Sequence, residues 1–135
     1  MQTNSFTVDF EDWYQGIELS IVEWEKHERR IEYGFSKVIE LLEIHQCKAT
    51  FFALGWIAEK YPHLVKQLAA AGHELGSHSY SHEKVYNQTR EEFREEISRT
   101  KKIIEDLTGQ QVFTHPSPSF SITSTCLWAL DILAE

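Results

Sequence analysis

Three histidines fall within GHELGSHSYSH, the stretch from Gly72 to His82. His78 and His82 stand four apart, so a single turn of chain can aim both imidazoles at one point. Divalent metals such as zinc take imidazole and carboxylate ligands, and catalytic sites keep a position open for water beside three protein ligands. The sequence DFED supplies the acids, Asp9, Glu11 and Asp12. One could complete the ligand set and another could act as general base towards a water. The chemistry on offer is metal-assisted hydrolysis. Each signal also has a bland reading. Seven histidines will sometimes fall four apart by chance, and an acidic strand end is usually solvated or caps a helix. His45 and His73 read as structural or surface residues, and His27 and His63 as exposed helical positions. His115, between Thr114 and Pro116, has no evident catalytic role.

The elements that must position these groups follow from periodicity. SFTVDF (5–10) reads as a strand, rich in β-branched and aromatic residues and ending in the acids. WYQGIELSIVEWEKHERRIEYG (13–34) is charged and weakly periodic and reads as an excursion outside the core. FSKVIELLEIHQ (35–46) is an amphipathic helix with Phe35, Val38, Ile39, Leu42 and His45 on one face. KATFFALG (48–55) reads as a strand buried on both faces. YPHLVKQLAAAG (61–72) has Pro62 for a first helical turn and Gly72 for its end. HELGSH (73–78) is a third strand. TREEFREEISRTKKIIEDLTG (89–109) is the strongest helix: Thr89 and Glu92 form a capping box, Phe93, Ile97, Ile104 and Leu107 form a stripe, and Gly109 ends it. QQVFTH (110–115) reads as a fourth strand, PSPSFSIT (116–123) as a loop, and STCLWALDILAE (124–135) as a further helix.

Strands alternating with helices specify an α/β fold with a parallel sheet or barrel. In such folds chemistry gathers at the carboxyl ends of the strands. Asp9, Glu11 and Asp12 follow the first strand, and His78 and His82 follow the third. The Ser-Pro loop follows the fourth, so all should share one rim. With 135 residues and 41% hydrophobic composition, the chain suits one domain or part of one. A net charge of −8 excludes nucleic acid as the expected partner, because phosphate contacts need a basic surface. No apolar run is long enough to span a bilayer. The start MQTNSFTVDF has no basic region followed by an apolar one, so a cytoplasmic location is expected. Cys47 and Cys126 are far apart and read as two reduced, buried thiols.

The run KATFFALGWIAEKYPHLVKQLAAAGHELGSHSYSH (48–82) resembles the polysaccharide deacetylases, carbohydrate esterase family 4. VDFEDWY, GWIAEKYP and PSFSIT…LWALDILAE further resemble a bacterial subgroup associated with exopolysaccharide and exosortase gene clusters. The resemblance implies residues 1–135 as the N-terminal part of a distorted (β/α) barrel, truncated before the barrel closes. A homo-oligomer could cover the open sheet edge. It implies a zinc-dependent hydrolase that removes N-acetyl groups from an amino-sugar polysaccharide or oligosaccharide. His78 and His82 are then metal ligands. Aligned without a gap to the family's TFDD motif, Glu11 takes the base position and Asp12 the ligand position. An Asp-x-Asp arrangement instead makes Asp9 the base and Glu11 the ligand. Asp12 is favoured as ligand, and Asp9 and Glu11 remain open as base. Pro118, Ser119 and Phe120 are the implied substrate contacts.

Two departures from the family pattern stand out. THPSPSFS carries Pro116 where the subgroup has an arginine that orients the base, and proline has neither the charge nor the donors. No residue after His115 can supply the family's catalytic-acid histidine. The truncation and the lost arginine make an inactive chain a further expectation. The alternatives are a non-catalytic metal- or glycan-binding paralogue and an allantoinase-like hydrolase of small amides on the same fold.

Overall fold

A computed structural model describes residues 4–17 and 19–135. The expectation about the first residues of the chain therefore lies partly outside the described residues. Along the chain run strand β1 (Thr7–Phe10), helices α1 (Ile21–Trp24) and α2 (Ile31–Ile44), and strand β2 (Thr50–Ala53). Helices α3 (Gly55–Lys60) and α4 (Pro62–Ala70), strand β3 (Glu74–Ser77), and helices α5 (Arg90–Thr108) and α6 (Trp128–Leu133) follow. Short 3₁₀ turns lie at Val85–Asn87 and Pro118–Phe120.

The strands form a parallel sheet in the order β1-β2-β3. Its register places Phe10 beside Ala53 and Ala53 beside Ser77, so all three strands end on one line. The central strand buries Phe51 and Ala53, but Thr50 and Phe52 on its other face are only half-buried, so it is not buried on both faces as its apolar run indicated. Helix α2 packs Ile31, Phe35, Ile39 and Leu42 into the same core, one turn further towards its N-terminus than the periodicity indicated. His45 is exposed, not part of that face. Helix α5 begins at a complete Thr89–Glu92 capping box and ends at Gly109, whose φ of 72° is the left-handed cap that glycine tolerates. Its buried residues are Phe93, Thr100 and Ile104, with Ile97 and Leu107 partly covered.

Several expectations need correction. Residues 110–115 do not form a strand. They meet β3 at its last residue, where the Ser77 N–H donates to the Thr114 carbonyl at 3.0 Å and the Ser77 hydroxyl lies 3.4 Å from His115 Nδ1. The Val112 N–H is instead spent on the Glu105 carboxylate at 2.9 Å. Phe113 points into solvent at 81% exposure, and Pro116 has no N–H to continue a ladder. The charged segment 13–34 is not outside the core: Tyr14 and Trp24 are fully buried, and Trp24 meets Trp56 edge-on. Residues 55–60 form a separate helix before Pro62. Cys126 is buried as expected, whereas Cys47 is exposed. His27 is half-buried, stacked on Tyr14. Among the described residues no helix is long and apolar enough to cross a membrane.

Candidate metal centre

Because the strands are parallel and in register, the residues just beyond them meet at one rim. The His78 N–H donates to the Ala53 carbonyl at 2.9 Å, fixing the start of the histidine loop against β2. Its ring is buried, and its Nδ1 lies 3.1 Å from the Pro116 carbonyl. A carbonyl can only accept, so Nδ1 carries the proton and Nε2 keeps its lone pair for a ligand. His82 folds back over it, with the ring centroids 5.1 Å apart.

The carboxylate that joins them is Glu11. Its Oε2 lies 3.4 Å from His82 Nε2. One ligand atom each from Glu11, His78 and His82 all fall within 4.8 Å of one another. Ligands arranged tetrahedrally at 2.0–2.2 Å from zinc stand roughly 3.5 Å apart, so the set fits one ion with little movement. Glu11 Oε2 is buried without a hydrogen-bond partner, which a protein tolerates poorly unless another ligand satisfies it. Burial, reinforced by neighbouring Asp9, pushes Glu11 up to about 7. Burial pushes both His78 and His82 below their ordinary value, keeping the imidazoles neutral and able to coordinate. The residues present therefore fit a divalent cation: one acid with an unsatisfied oxygen and two neutral imidazoles.

Asp12 is not part of this set. Its Oδ2 accepts the N–H groups of Arg30 at 2.8 Å and Ile31 at 3.0 Å, and its Oδ1 accepts that of Trp13 at 2.9 Å. It is buried at the start of α2, where a negative charge meets unpaired N–H groups. The favoured reading of Asp12 as the third ligand is thus corrected: the side chain caps a helix, and the rim receives Glu11. Asp9 sits beside the cluster, its Oδ2 4.0 Å from His78 Nε2 and its side chain 56% exposed to solvent.

The remaining candidates divide. Ser119 lines a cleft of about 270 Å³ that also contains His82, Gln15, Ser20, Ser81 and Asn87. Phe120 next to it is 95% exposed, while Pro118 is buried and faces the protein. Ser119 and Phe120 both have positive φ, 52° and 53°, a conformation that persists in non-glycine residues only where the surroundings impose it. Ser121 ties this turn down, its hydroxyl accepting the Val85 N–H at 2.9 Å. Burial pushes His115 down to about 4, so at pH 7 it carries no imidazolium proton to give.

Two supporting groups escaped the reading of the sequence. One is the Pro116 carbonyl, a backbone atom that no residue type reveals. The other is Glu96, which accepts hydrogen bonds from the histidine loop. Its signal was an acid three residues beyond Phe93 and four before Thr100, on the covered face of α5.

Comparison with known proteins bears on the family. Residues 30–132 match the family model "Polysaccharide deacetylase", a stretch that contains His78 and His82 and begins after the acids of β1. A peptidoglycan-N-acetylglucosamine deacetylase of Bacillus cereus is 36% identical over 96 residues, 70% of this chain and 35% of that protein. A chitooligosaccharide deacetylase of Azorhizobium caulinodans is 32% identical over 88 residues, 65% of this chain and 42% of that protein. The chain therefore spans well under half the length of these relatives. Among solved structures, a CE4 family pseudoenzyme from Bacillus anthracis superposes with a TM-score of 0.72 at 26% identity, covering 94% of this chain and 39% of that one. The match over most of its length, on a parallel sheet with two histidines at the rim, establishes that the chain belongs to the polysaccharide deacetylase family.

Proposed function

We propose that this chain is part of a metal-dependent deacetylase that hydrolyses the N-acetyl group of an amino-sugar glycan. In this reading it forms the N-terminal part of a (β/α) barrel. The observation that carries the reading is the convergence of Glu11, His78 and His82 on one point, with a buried and unsatisfied Glu11 oxygen. These three would hold a divalent cation, zinc by ligand type. When bound, such an ion polarises a carbonyl oxygen and lowers the pKa of a coordinated water towards ~7.

The chain's own groups do the rest. Asp9 is the base: it borders the cluster, keeps an exposed carboxylate and holds no ligand position. It takes the proton of the attacking water. The Pro116 carbonyl holds the His78 tautomer. The cleft lined by Ser20, Ser81, Asn87 and Ser119 receives the sugar through hydroxyl and amide groups, which suit a neutral polyhydroxylated ligand. The stretches VDFEDWY and GWIAEKYP favour an exopolysaccharide within this substrate class.

A second reading has its own support. Pro116 occupies the place where the resemblance sets an arginine, and among the described residues no ion pair joins Asp9 to a lysine or arginine. A base without that partner suits a chain that binds metal or glycan without turning it over.

Acetate release from chitooligosaccharide, peptidoglycan fragments and acetylated exopolysaccharide, with added zinc or cobalt, tests both readings. Turnover by the unaltered protein supports the deacetylase. Turnover that appears only after Pro116→Arg supports a decayed enzyme. Metal binding without turnover in either form sinks the catalytic reading.

A further inference from the structure

The loop between His78 and His82 holds an unusual backbone. Ser79 and His82 both adopt positive φ, 63° and 59°. Side chains other than glycine or asparagine rarely sit there, and they stay only where surrounding contacts over-determine the conformation. The contacts come from two helices that carry no ligand. On one side, the first N–H groups of α3 grip the loop's carbonyls: Gly55 donates to Ser79 at 2.9 Å and Trp56 to Tyr80 at 3.3 Å. On the other side, a single carboxylate of α5 gathers the loop's donors. Glu96 Oε2 accepts the N–H of Tyr80 at 2.9 Å, the N–H of Ser81 at 2.9 Å and the Ser79 hydroxyl at 3.0 Å. Its Oε1 accepts the Ser81 hydroxyl at 2.7 Å.

We propose that Glu96 is a positioning residue for the metal ligand His82, clamping the strained 79–81 turn so that the His82 imidazole faces Glu11 and His78. This rests on the reading of those three residues as a metal site. Charge-assisted hydrogen bonds are the strong ones, and four converge on this one side chain, two from backbone N–H groups and two from serine hydroxyls. His78 needs no such clamp, since β2 and the Pro116 carbonyl already fix it. Among the described residues no equivalent hydrogen bond ties His82 to the sheet, and its aim is set by the turn before it. The outer rim of the clamp is braced as well. Arg99, one turn beyond Glu96, lies 3.7 Å over the Tyr80 ring and bonds Glu59, which in turn accepts the Tyr80 hydroxyl at 2.7 Å.

The experiment is a zinc titration against a competing chelator, run on wild type, Glu96→Ala, Glu96→Gln, His82→Ala and the double variant. Glu95→Gln, exposed on the same helix, serves as a charge-matched control. Loss of groups that orient metal ligands typically weakens affinity ~10–100-fold, and that loss is expected for Glu96→Ala. Glu96→Gln is expected to weaken binding several-fold, and Glu95→Gln to leave it unchanged. In the His82→Ala background, removal of Glu96 should cost nothing further, because the only ligand it aims is gone. Unchanged affinity in Glu96→Ala, or an equal loss with and without His82, overturns the proposal while leaving the metal site standing. Should Glu96→Ala not fold, Glu96→Gln with wild-type affinity overturns it instead. Wild-type protein that binds no zinc overturns the metal reading itself, and this proposal with it.

Discussion

Glu11→Gln separates function from stability with opposite signs. Burial and Asp9 raise the Glu11 carboxyl from 4.5 to about 7. The folded chain therefore binds more protons than the unfolded chain between those pH values, and metal-free stability falls as pH rises through that window. Above 7 the full penalty of an ionised, largely covered carboxylate with one buried and unpartnered oxygen is present. At about 1.36 kcal/mol per unit the penalty is at most about 3 kcal/mol. The side chain is 18% exposed, and solvent screening reduces the working figure to about 2 kcal/mol. Glutamine keeps the shape and carries no charge. In chelator-treated protein at pH 8, Glu11→Gln should raise the unfolding free energy by about 2 kcal/mol, read from urea titration of tryptophan fluorescence. At pH 4.5 the two proteins should coincide. Zinc at a hundredfold excess over its dissociation constant adds about 2.7 kcal/mol to a protein that binds only when folded. Wild type should gain this increment and the variant should not, so zinc reverses their order. A variant less stable than wild type without metal at pH 8, or one that keeps the zinc increment, refutes the reasoning.

The same carboxyl sets the pH dependence of metal binding: zinc affinity should rise about tenfold per pH unit below 7 and level off above it, as Glu11 surrenders its proton. Competition titrations from pH 5.5 to 8 check this, and a flat profile contradicts it. Asp12→Ala should lower stability by about 2–4 kcal/mol, because three N–H groups lose a charged acceptor. Zinc should still stabilise that variant, whereas an unchanged unfolding midpoint with lost zinc binding would return Asp12 to the ligand set. Gly55→Ala should destabilise by about 1–3 kcal/mol, because a Cβ there collides with the Thr100 hydroxyl and the Tyr80 ring. Wild-type stability of that variant in urea would show that α3, the histidine loop and α5 are packed less closely than described.

The parts of this molecule that were legible in the sequence are those decided locally. The Thr89–Glu92 box, the Phe35–Ile39–Leu42 stripe and the apolar run of β2 each carry their signal within a few residues. Parallel register then brings two distant strand ends to one rim, so the sequence itself pairs His78 with an acid of DFED. The sequence pointed to the wrong acid as ligand, Asp12, where the structure brings Glu11 to the histidines. Alternation along β1 stops at Phe10, and beyond it side-chain direction is set by the turn. Gln15 accepts the Asp12 N–H through its side chain, and Asp12 is captured by Arg30 and Ile31, eighteen and nineteen residues away. The same non-local logic buries Trp24 in a segment that looks charged, and diverts Val112 from the sheet to Glu105.

The most direct test is crystallographic. Crystals grown with zinc and measured on both sides of the zinc absorption edge locate the ion without ambiguity. The expected result is one anomalous peak at the rim, bonded at about 2.0–2.2 Å by a Glu11 oxygen and the Nε2 atoms of His78 and His82. Asp12 should remain on the N–H groups of α2. A peak ligated by Asp12 instead of Glu11, or no peak between the two histidines at saturating zinc, contradicts the account.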